Sequence, residues 1–210
     1  MKNLLFALFA IFAVSCGGSR YVDYFPYHDD GKPKPKVALV PVVDSCGCKL
    51  PWDMSQEMSQ GVYYQLMNVG ELYVMSADEI GFVWNKRDSI DFFGTDMSYA
   101  KEFCNSDFIV ALELIEHSVR PLEGNSNHSC NQILTMRMRT KVIDVRRSCP
   151  KVVLYEIIKS EYIVAKAGPI DFGTTCVGSN GYLMTPCGIL HQRMVCNICE
   201  RLEKVIWTVK

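Results

Sequence analysis

The sequence predicts an α/β fold in which a single mixed sheet has helices packed on it. Short apolar runs alternate with helix-period segments over residues 36–115. Two long β-prone runs follow at residues 133–146 and 151–164, and an amphipathic segment closes the chain. This order predicts strand-helix-strand-helix-strand, then a long β-hairpin and a C-terminal helix.

Three short strands are predicted in the first half of the chain. Residues 37–43 form a continuous apolar run, typical of a strand buried on both faces. Pro41 has no amide donor, so this strand is expected to end or bulge there. Residues 72–75 and 108–115 supply the second and third strands.

Two helices are predicted between these strands. Asp53 or Ser55 caps the first helix, and Gly70 ends it. Its buried face is expected to hold apolar residues spaced three or four apart, namely Met54, Met58, Val62, Leu66 and Val69. Thr95 caps a further helix that is expected to run to Cys104.

The second half of the chain predicts a hairpin covered by a helix. Residues 148–150 join the two long β-prone runs as a turn. Their alternation of apolar and polar residues is shorter than the band of about nine to eleven residues that a membrane strand needs. The C-terminal helix is expected to bury residues at helical spacing, namely Leu190, Met194, Ile198, Leu202 and Val205.

The amino terminus has the pattern of an export signal. Lys2 precedes an apolar run at residues 4–14, which is about half the length of a membrane-spanning helix. Small residues then lead directly to Cys16. This segment resembles the lipobox of bacterial lipoproteins, although Ala13 stands where that family usually has leucine. A secreted protein with a chance Cys16 and an uncleaved signal anchor are the alternatives.

The domain boundaries follow from this pattern. Residues 1–15 are predicted to be a lipoprotein signal peptide, and Cys16 is predicted to carry the lipid, including palmitate. Residues 16–35 are expected to be a flexible linker because glycine, serine and proline punctuate them. Residues 36–210 then form a single α/β domain.

Composition indicates which class of partner is excluded and which cellular compartment suits the chain. The net charge is −1 and no long basic stretch exists, which argues against nucleic acid as the main partner. Ten cysteines suit an oxidising compartment and disulfide bonds. Ten minus Cys16 leaves nine, so at least one thiol is expected to stay outside an intramolecular disulfide.

The order of elements resembles a group of envelope proteins. A strand with an internal proline at residues 36–43, a helix, and then residues 70–75 resemble the amino-terminal domain of the Tol-system propeller protein, the curli-secretion-channel lipoprotein and lipoproteins that activate peptidoglycan synthases. The whole chain is similar to uncharacterised, cysteine-rich lipoproteins of chlamydiae. This resemblance implies an envelope location and non-catalytic binding, and it implies no catalytic residue.

Cysteines near the C terminus are the sharpest candidates for chemistry. Cys196 and Cys199 lie three residues apart on the predicted helix, so their sulfurs share a face. His191 and Cys187 precede them, and the Cys-Gly-Cys loop at residues 46–48 offers two more thiols for a four-ligand zinc site. Disulfide or buried roles outweigh this hypothesis, so we predict no catalytic residue, metal or cofactor. His117 is expected to end a strand, without a nucleophile beside it in sequence.

The sequence therefore predicts a non-enzymatic lipoprotein of the bacterial envelope. Its lipid would hold it to a membrane, expected to be the outer membrane on its periplasmic side. The domain is expected to bind another envelope protein or to form a homo-oligomer. The alternatives are a subunit of an oligomeric secretion channel, and a thiol redox or metal-binding protein that uses Cys196 and Cys199.

Overall fold

The computed structural model describes residues 25–48, 50–76, 78–81, 90–103, 105–122, 132–164 and 177–209. The predicted signal peptide and Cys16 lie outside these ranges. Within them, no helix combines the length and the apolar character that crossing a membrane requires.

The described strands form one mixed sheet, as the sequence predicts. The strands are β1 (Lys36–Leu39), β2 (Val43–Asp44), β3 (Tyr73–Val74), β4 (Phe108–Pro121), β5 (Gln132–Asp144) and β6 (Lys151–Val164). Their order is β3-β1-β4-β5-β6, and β2 also pairs with β4. The three short strands run parallel to their partners, whereas β4, β5 and β6 form an antiparallel meander.

The first predicted strand is divided near Pro41, as expected. β1 ends at Leu39, and β2 resumes the pairing with β4 at Val43 opposite Glu113. The Val40 amide still donates to the Val110 carbonyl at 2.9 Å, so the chain continues along β4 through the break. The missing amide of proline explains why the ladder is interrupted there.

Helix α1 (Met54–Val69) begins and ends as predicted. The Asp53 side chain accepts a hydrogen bond from the Gln56 amide at 3.1 Å. Gly70 closes the helix with φ of 76°, a left-handed conformation that glycine adopts at little cost. The prediction that Val69 is buried is wrong: Val69 is 43% exposed, whereas Met67 is 1% exposed and lies in the main core.

The helix predicted from Thr95 to Cys104 is wrong in type and start. A 3₁₀ helix covers Ser98–Phe103 instead. The Asp96 carboxylate accepts from the Ser98 amide at 2.9 Å, so a capping interaction one residue later than expected sets the start. Two helices close the chain, a short α2 (Asn180–Leu183) and the long α3 (Pro186–Val209).

Helices α1 and α3 pack together on one face of the sheet. The main core lies between them and the strands, and it contains all the residues predicted to be buried on the C-terminal helix. A smaller core on the opposite face joins residues 90–103 to Ala38 and Val40 and to Ile109 and Ala111 of β4. Both faces of the parallel part of the sheet are thus covered.

The chain enters the domain through a tight turn beside the end of α3. Residues 25–35 belong to the stretch assigned to the linker, and here Tyr27 and Pro33 form an antiparallel bridge. The Lys34 amide donates to the Pro26 carbonyl at 2.9 Å. The His28 ring lies 6.1 Å from the Trp207 ring, which holds this turn against α3.

The described cysteines are all free thiols. They are Cys46, Cys48, Cys149, Cys187, Cys196 and Cys199. Disulfide bonds between these six, expected from the cysteine content, are therefore not found. The other four of the ten cysteines lie outside the described residues.

Candidate metal centre

A β-bulge in β4 places His117 in the main core. Strand β4 continues to Pro121, so His117 lies within it and does not end it as predicted. The pairing with β5 shifts between Leu114 and Glu116, which inserts one extra residue into β4. After this shift His117 lies opposite Met136, a core residue, and therefore faces the helices.

Cys187 and His191 face His117 from the first turns of α3. They lie four residues apart, so they share one side of the helix. Both are 2% exposed, and His117 is 9% exposed. Cys187 Sγ lies 3.3 Å from His191 Nε2, and His117 Nε2 lies 3.0 Å from the same nitrogen and 3.9 Å from the sulfur.

These three atoms have the separations of metal ligands. In a tetrahedral zinc site, two imidazole nitrogens lie about 3.3 Å apart, and a nitrogen and a sulfur lie about 3.6 Å apart. The observed distances are 3.0 Å for the nitrogen pair, with 3.3 and 3.9 Å for the nitrogen–sulfur pairs. One thiolate and two imidazoles also form a donor set that suits zinc and copper. Among the described residues, this is the one group of three such side chains that converges within ligand distance.

Glu57 of α1 orients His191 from behind. Glu57 Oε1 lies 2.9 Å from His191 Nδ1 and accepts a 2.7 Å hydrogen bond from the Tyr182 hydroxyl. Trp52 Nε1 donates to Glu57 Oε2 at 2.8 Å. Because the carboxylate only accepts, His191 Nδ1 carries hydrogen and Nε2 is directed at His117 and Cys187. Metal-binding histidines commonly have such a carboxylate partner.

The Cys48 thiol contacts Nδ1, the other ring nitrogen of His117. Its sulfur lies 3.6 Å from His117 Nδ1, on the side of the ring away from His191. The Cys-Gly-Cys loop therefore contributes an outer contact to His117. With Nδ1 directed at Cys48, His117 Nε2 also points to the common centre.

The pKa values of the two histidines are shifted in opposite directions. Burial, aided by the neighbouring His191, lowers the pKa of His117 to about 4. Burial also acts to lower the pKa of His191, but hydrogen bonds to Cys187 and Glu57 outweigh it and raise that pKa to about 9. At neutral pH the ion-free centre thus pairs an imidazolium, His191, with a neutral imidazole, His117. A bound cation would replace the proton between the two rings.

The other two predicted candidates lie elsewhere on α3. Cys199 is 2% exposed and its thiol faces the Val62 carbonyl of α1 at 3.8 Å. Cys196 contacts the Gln192 amide group. At a rise of about 1.5 Å per residue, Cys199 lies about 18 Å along the helix from Cys187. The structure therefore brings together Cys187 and His191 but not Cys196 and Cys199.

The same groups also follow the order of a cysteine nucleophile, an imidazole base and a carboxylate. Cys187 is 2% exposed, however, and the cavity beside the centre is lined by His191 and Glu57 without Cys187. A second imidazole facing the first has no place in such a relay, whereas it supplies a third metal ligand. The arrangement thus favours binding a metal ion over nucleophilic catalysis.

The model of a family of unknown function (DUF7499) matches residues 23–210. The chain belongs to this family. No curated protein matches it.

The chain is similar to several solved structures. The hypothetical protein CT253 from Chlamydia trachomatis is 22% identical with a TM-score of 0.64, over 82% of this chain and 98% of that chain. Lipoprotein GNA1162 from Neisseria meningitidis is 11% identical with a TM-score of 0.42, over 79% of this chain and 99% of that chain. A minor lipoprotein from Acinetobacter baumannii is 8% identical with a TM-score of 0.37, over 81% and 91%. The chlamydial structure supports the fold alone.

Proposed function

We propose that this protein is a lipid-anchored, non-enzymatic envelope protein whose domain holds a zinc-type metal ion. The convergence of Cys187 Sγ, His191 Nε2 and His117 Nε2 within 3.0 to 3.9 Å carries this proposal. The Glu57 carboxylate supports it because it directs His191 Nε2 toward the other two ligands. Such an ion would link β4 to α3, and α1 through Glu57.

Three protein ligands leave one position of a tetrahedral ion. A structural zinc ion normally has four protein ligands, whereas an ion with three retains a water or another ligand. The Tyr182 hydroxyl lies 4.0 Å from Cys187 Sγ but 2.7 Å from His191 Nδ1, the ring nitrogen that faces away from the other two ligands. The proposed centre is therefore largely buried and keeps one coordination position for a small exchangeable ligand.

Metal analysis of the full chain tests the proposal. We expect the full chain, extracted with detergent from the membranes of the cells that produce it, to contain about one zinc ion per chain. Cys187→Ser and His117→Ala are each expected to lose it, because two ligands hold an ion poorly. Cys196→Ser and Cys149→Ser are matched controls, since these free thiols lie outside the centre. A metal-free wild type, or equal metal in all variants, overturns the proposal.

Cobalt substitution identifies the ligands directly. Co²⁺ in place of zinc is expected to give a thiolate-to-metal charge-transfer band in the near ultraviolet. That band is expected to vanish in Cys187→Ser and to persist in Cys196→Ser. A band that survives Cys187→Ser would assign the thiolate to another cysteine.

We also propose that Cys16 carries the lipid that holds the domain to the outer membrane, on its periplasmic side. The support is the apolar run of residues 4–14 and the small residues before Cys16. Radiolabelled palmitate is expected to enter the wild-type chain and not Cys16→Ala. Equal labelling of the two chains overturns the anchor.

The proposed role of the anchored domain is to bind another envelope protein or a second copy of itself. Strand β6 lies at one edge of the described sheet, and Tyr155, Ile157 and Ile163 on it are between 47% and 58% exposed. Cross-linking in intact envelopes, followed by mass measurement, is expected to recover a stable complex. A ring-shaped oligomer would favour the secretion-channel alternative, and a monomer without any cross-linked partner would contradict both.

A further inference from the structure

One end of the domain has exposed aromatic side chains at the point where the chain enters. Phe25 and Tyr27 are 66% and 58% exposed. Trp207, in the last turn of α3, is 38% exposed. The contact between His28 and Trp207 at 6.1 Å places all three aromatics at the same end of the domain. Aromatic rings with a polar edge favour the boundary between lipid and water.

Basic side chains lie at this same end. Arg147, in the turn between β5 and β6, and Lys151, the first residue of β6, are both exposed. Arg146 in that turn donates to the Val209 carbonyl at 3.1 Å, two residues beyond Trp207. Acidic groups here are partly neutralised, since Asp30 pairs with Lys32 and Asp144 pairs with Arg146. Exposed cations beside aromatic rings suit a surface that contains anionic lipid.

The length of the tether keeps this end near the membrane. Residues 17–24 separate Cys16 from Phe25 in the sequence. At about 3.3 to 3.6 Å per residue, this connection spans about 30 Å at most. Cys187 lies in the first turn of α3, at the opposite end of that helix and about 30 Å from Trp207 along its axis. The tether therefore leads to the aromatic end, and the metal centre lies at the far end.

We propose that this aromatic end docks on the bilayer that holds the anchor. Its contact residues are Phe25, Tyr27, Trp207, Arg147 and Lys151. The proposal rests on the anchoring through Cys16 put forward above. A short tether gives the docking end a high effective concentration at the surface, so a weak contact suffices to orient the domain. Docking would hold the metal centre away from the lipid, toward the periplasm.

Vesicle binding by an unlipidated chain tests the docking end. The chain from position 16 with Cys16→Ser is incubated with vesicles of phosphatidylethanolamine and phosphatidylglycerol, and the bound fraction is measured by sedimentation. We expect measurable binding that falls roughly tenfold or more in the triple variant Phe25→Ser, Tyr27→Ser, Trp207→Ser, because apolar area drives partitioning. The control is Val119→Ser with Leu122→Ser, which removes exposed apolar side chains around the last residues of β4, away from the docking end, and is expected to bind as wild type.

The position of Trp207 gives an independent readout. Vesicles with brominated acyl chains are expected to quench its fluorescence, measured as the difference between the wild type and Trp207→Phe. No binding by the wild type, or equal binding by the triple variant, overturns the proposal. If the triple variant fails to fold, Tyr27→Ser alone replaces it in the vesicle assay. Binding by Tyr27→Ser that equals wild-type binding would then overturn the proposal. The vesicle assay uses chains without lipid, so its outcome does not depend on palmitate labelling. Failure of palmitate labelling would therefore overturn the anchor at Cys16, and failure of vesicle binding would overturn the docking end.

Discussion

At the residue scale, Glu57 accepts hydrogen bonds from three neighbouring side chains through its carboxylate. Its two oxygens meet the Tyr182 hydroxyl, the His191 imidazole and the Trp52 indole. Burial acts to raise the pKa of Glu57, but its bonds to His191, Tyr182 and Trp52 outweigh that effect and lower the pKa. Glu57 therefore stays ionised in the core and keeps His191 oriented.

Glu57→Gln is expected to weaken metal binding about 10- to 100-fold without removing it. The glutamine amide has one acceptor oxygen and a donor group, so it cannot receive all three hydrogen bonds. Competition with a chromophoric chelator measures the change in affinity. Glu203→Gln, a partly buried glutamate on α3 outside the centre, is the control and should leave affinity unchanged. Equal affinity for wild type and Glu57→Gln would refute this role.

A second residue-scale prediction concerns acid stability. Hydrogen bonds from Arg146, which outweigh burial, lower the pKa of Asp144 below its usual 3.8. A depressed carboxyl pKa adds stability above the unfolded-state pKa, and that stability is lost as pH falls through the folded-state pKa. Asp144→Asn is expected to lower the free energy of unfolding by about 1 kcal/mol at neutral pH. Urea melts at several pH values should show the difference shrinking below pH 3.8; a constant difference would contradict the prediction.

At the element scale, the bulge in β4 decides which way His117 points. Before the bulge, even-numbered residues of β4 such as Leu112 and Leu114 face the helices. A regular strand would direct His117 to the opposite face, because side chains alternate with period two. The extra residue between Leu114 and Glu116 reverses the alternation. The centre therefore depends on a local irregularity of one strand.

The close packing of α2 on α3 is a second element-scale feature. A Cβ atom on Gly188 would lie 2.1 Å from the Tyr182 carbonyl oxygen and 3.0 Å from the Leu183 Cα. Gly188→Ala is expected to destabilise the fold by about 1–3 kcal/mol, because backbone must move to admit the methyl group. The displacement of Tyr182 should also weaken its contact with Glu57.

Thermal melting compares this variant with a milder control. At Gly61 a Cβ atom would lie 3.0 Å from a Val195 methyl group, which is a side chain and can adjust. Gly61→Ala should therefore lower the melting temperature less than Gly188→Ala does. The reverse order would show that α2 does not restrict the start of α3.

At the scale of the whole molecule, the metal centre would join three elements that are distant in sequence. His117 lies in β4, Cys187 and His191 lie in α3, and Glu57 lies in α1. An ion that binds only the folded chain stabilises it by mass action. The stability of the whole domain should therefore depend on the free metal concentration.

Removing the ion with a chelator is expected to lower the melting temperature by about 5–10 °C. Free ion at about 100 times its dissociation constant adds about 2.7 kcal/mol, and each kcal/mol shifts a domain of this size by about 2–4 °C. Calorimetry with and without chelator measures the shift. His117→Ala should melt at the same temperature in both conditions, and a chelator effect of equal size in this variant would contradict the centre.

Sequence alone determined the elements whose signals are local. The spacing of Met54, Met58 and Val62 and the caps at Asp53 and Gly70 predicted α1, because capping and helical period involve neighbours along the chain. Cys187 and His191 were candidates because they precede Cys196 and Cys199 near the C terminus.

Only the tertiary structure decided what completes the centre. His117 lies 74 residues from His191, and Glu57 lies 134 residues from it. No periodicity links residues so far apart, since strand pairing and helix packing bring them together. Regular alternation in β4 would direct His117 to the opposite face, and the bulge that reverses it depends on pairing with β5. Cys187 and His191 were thus among four sequence candidates, and the packing of α3 against the sheet and α1 decided that these two, and not Cys196 and Cys199, meet His117.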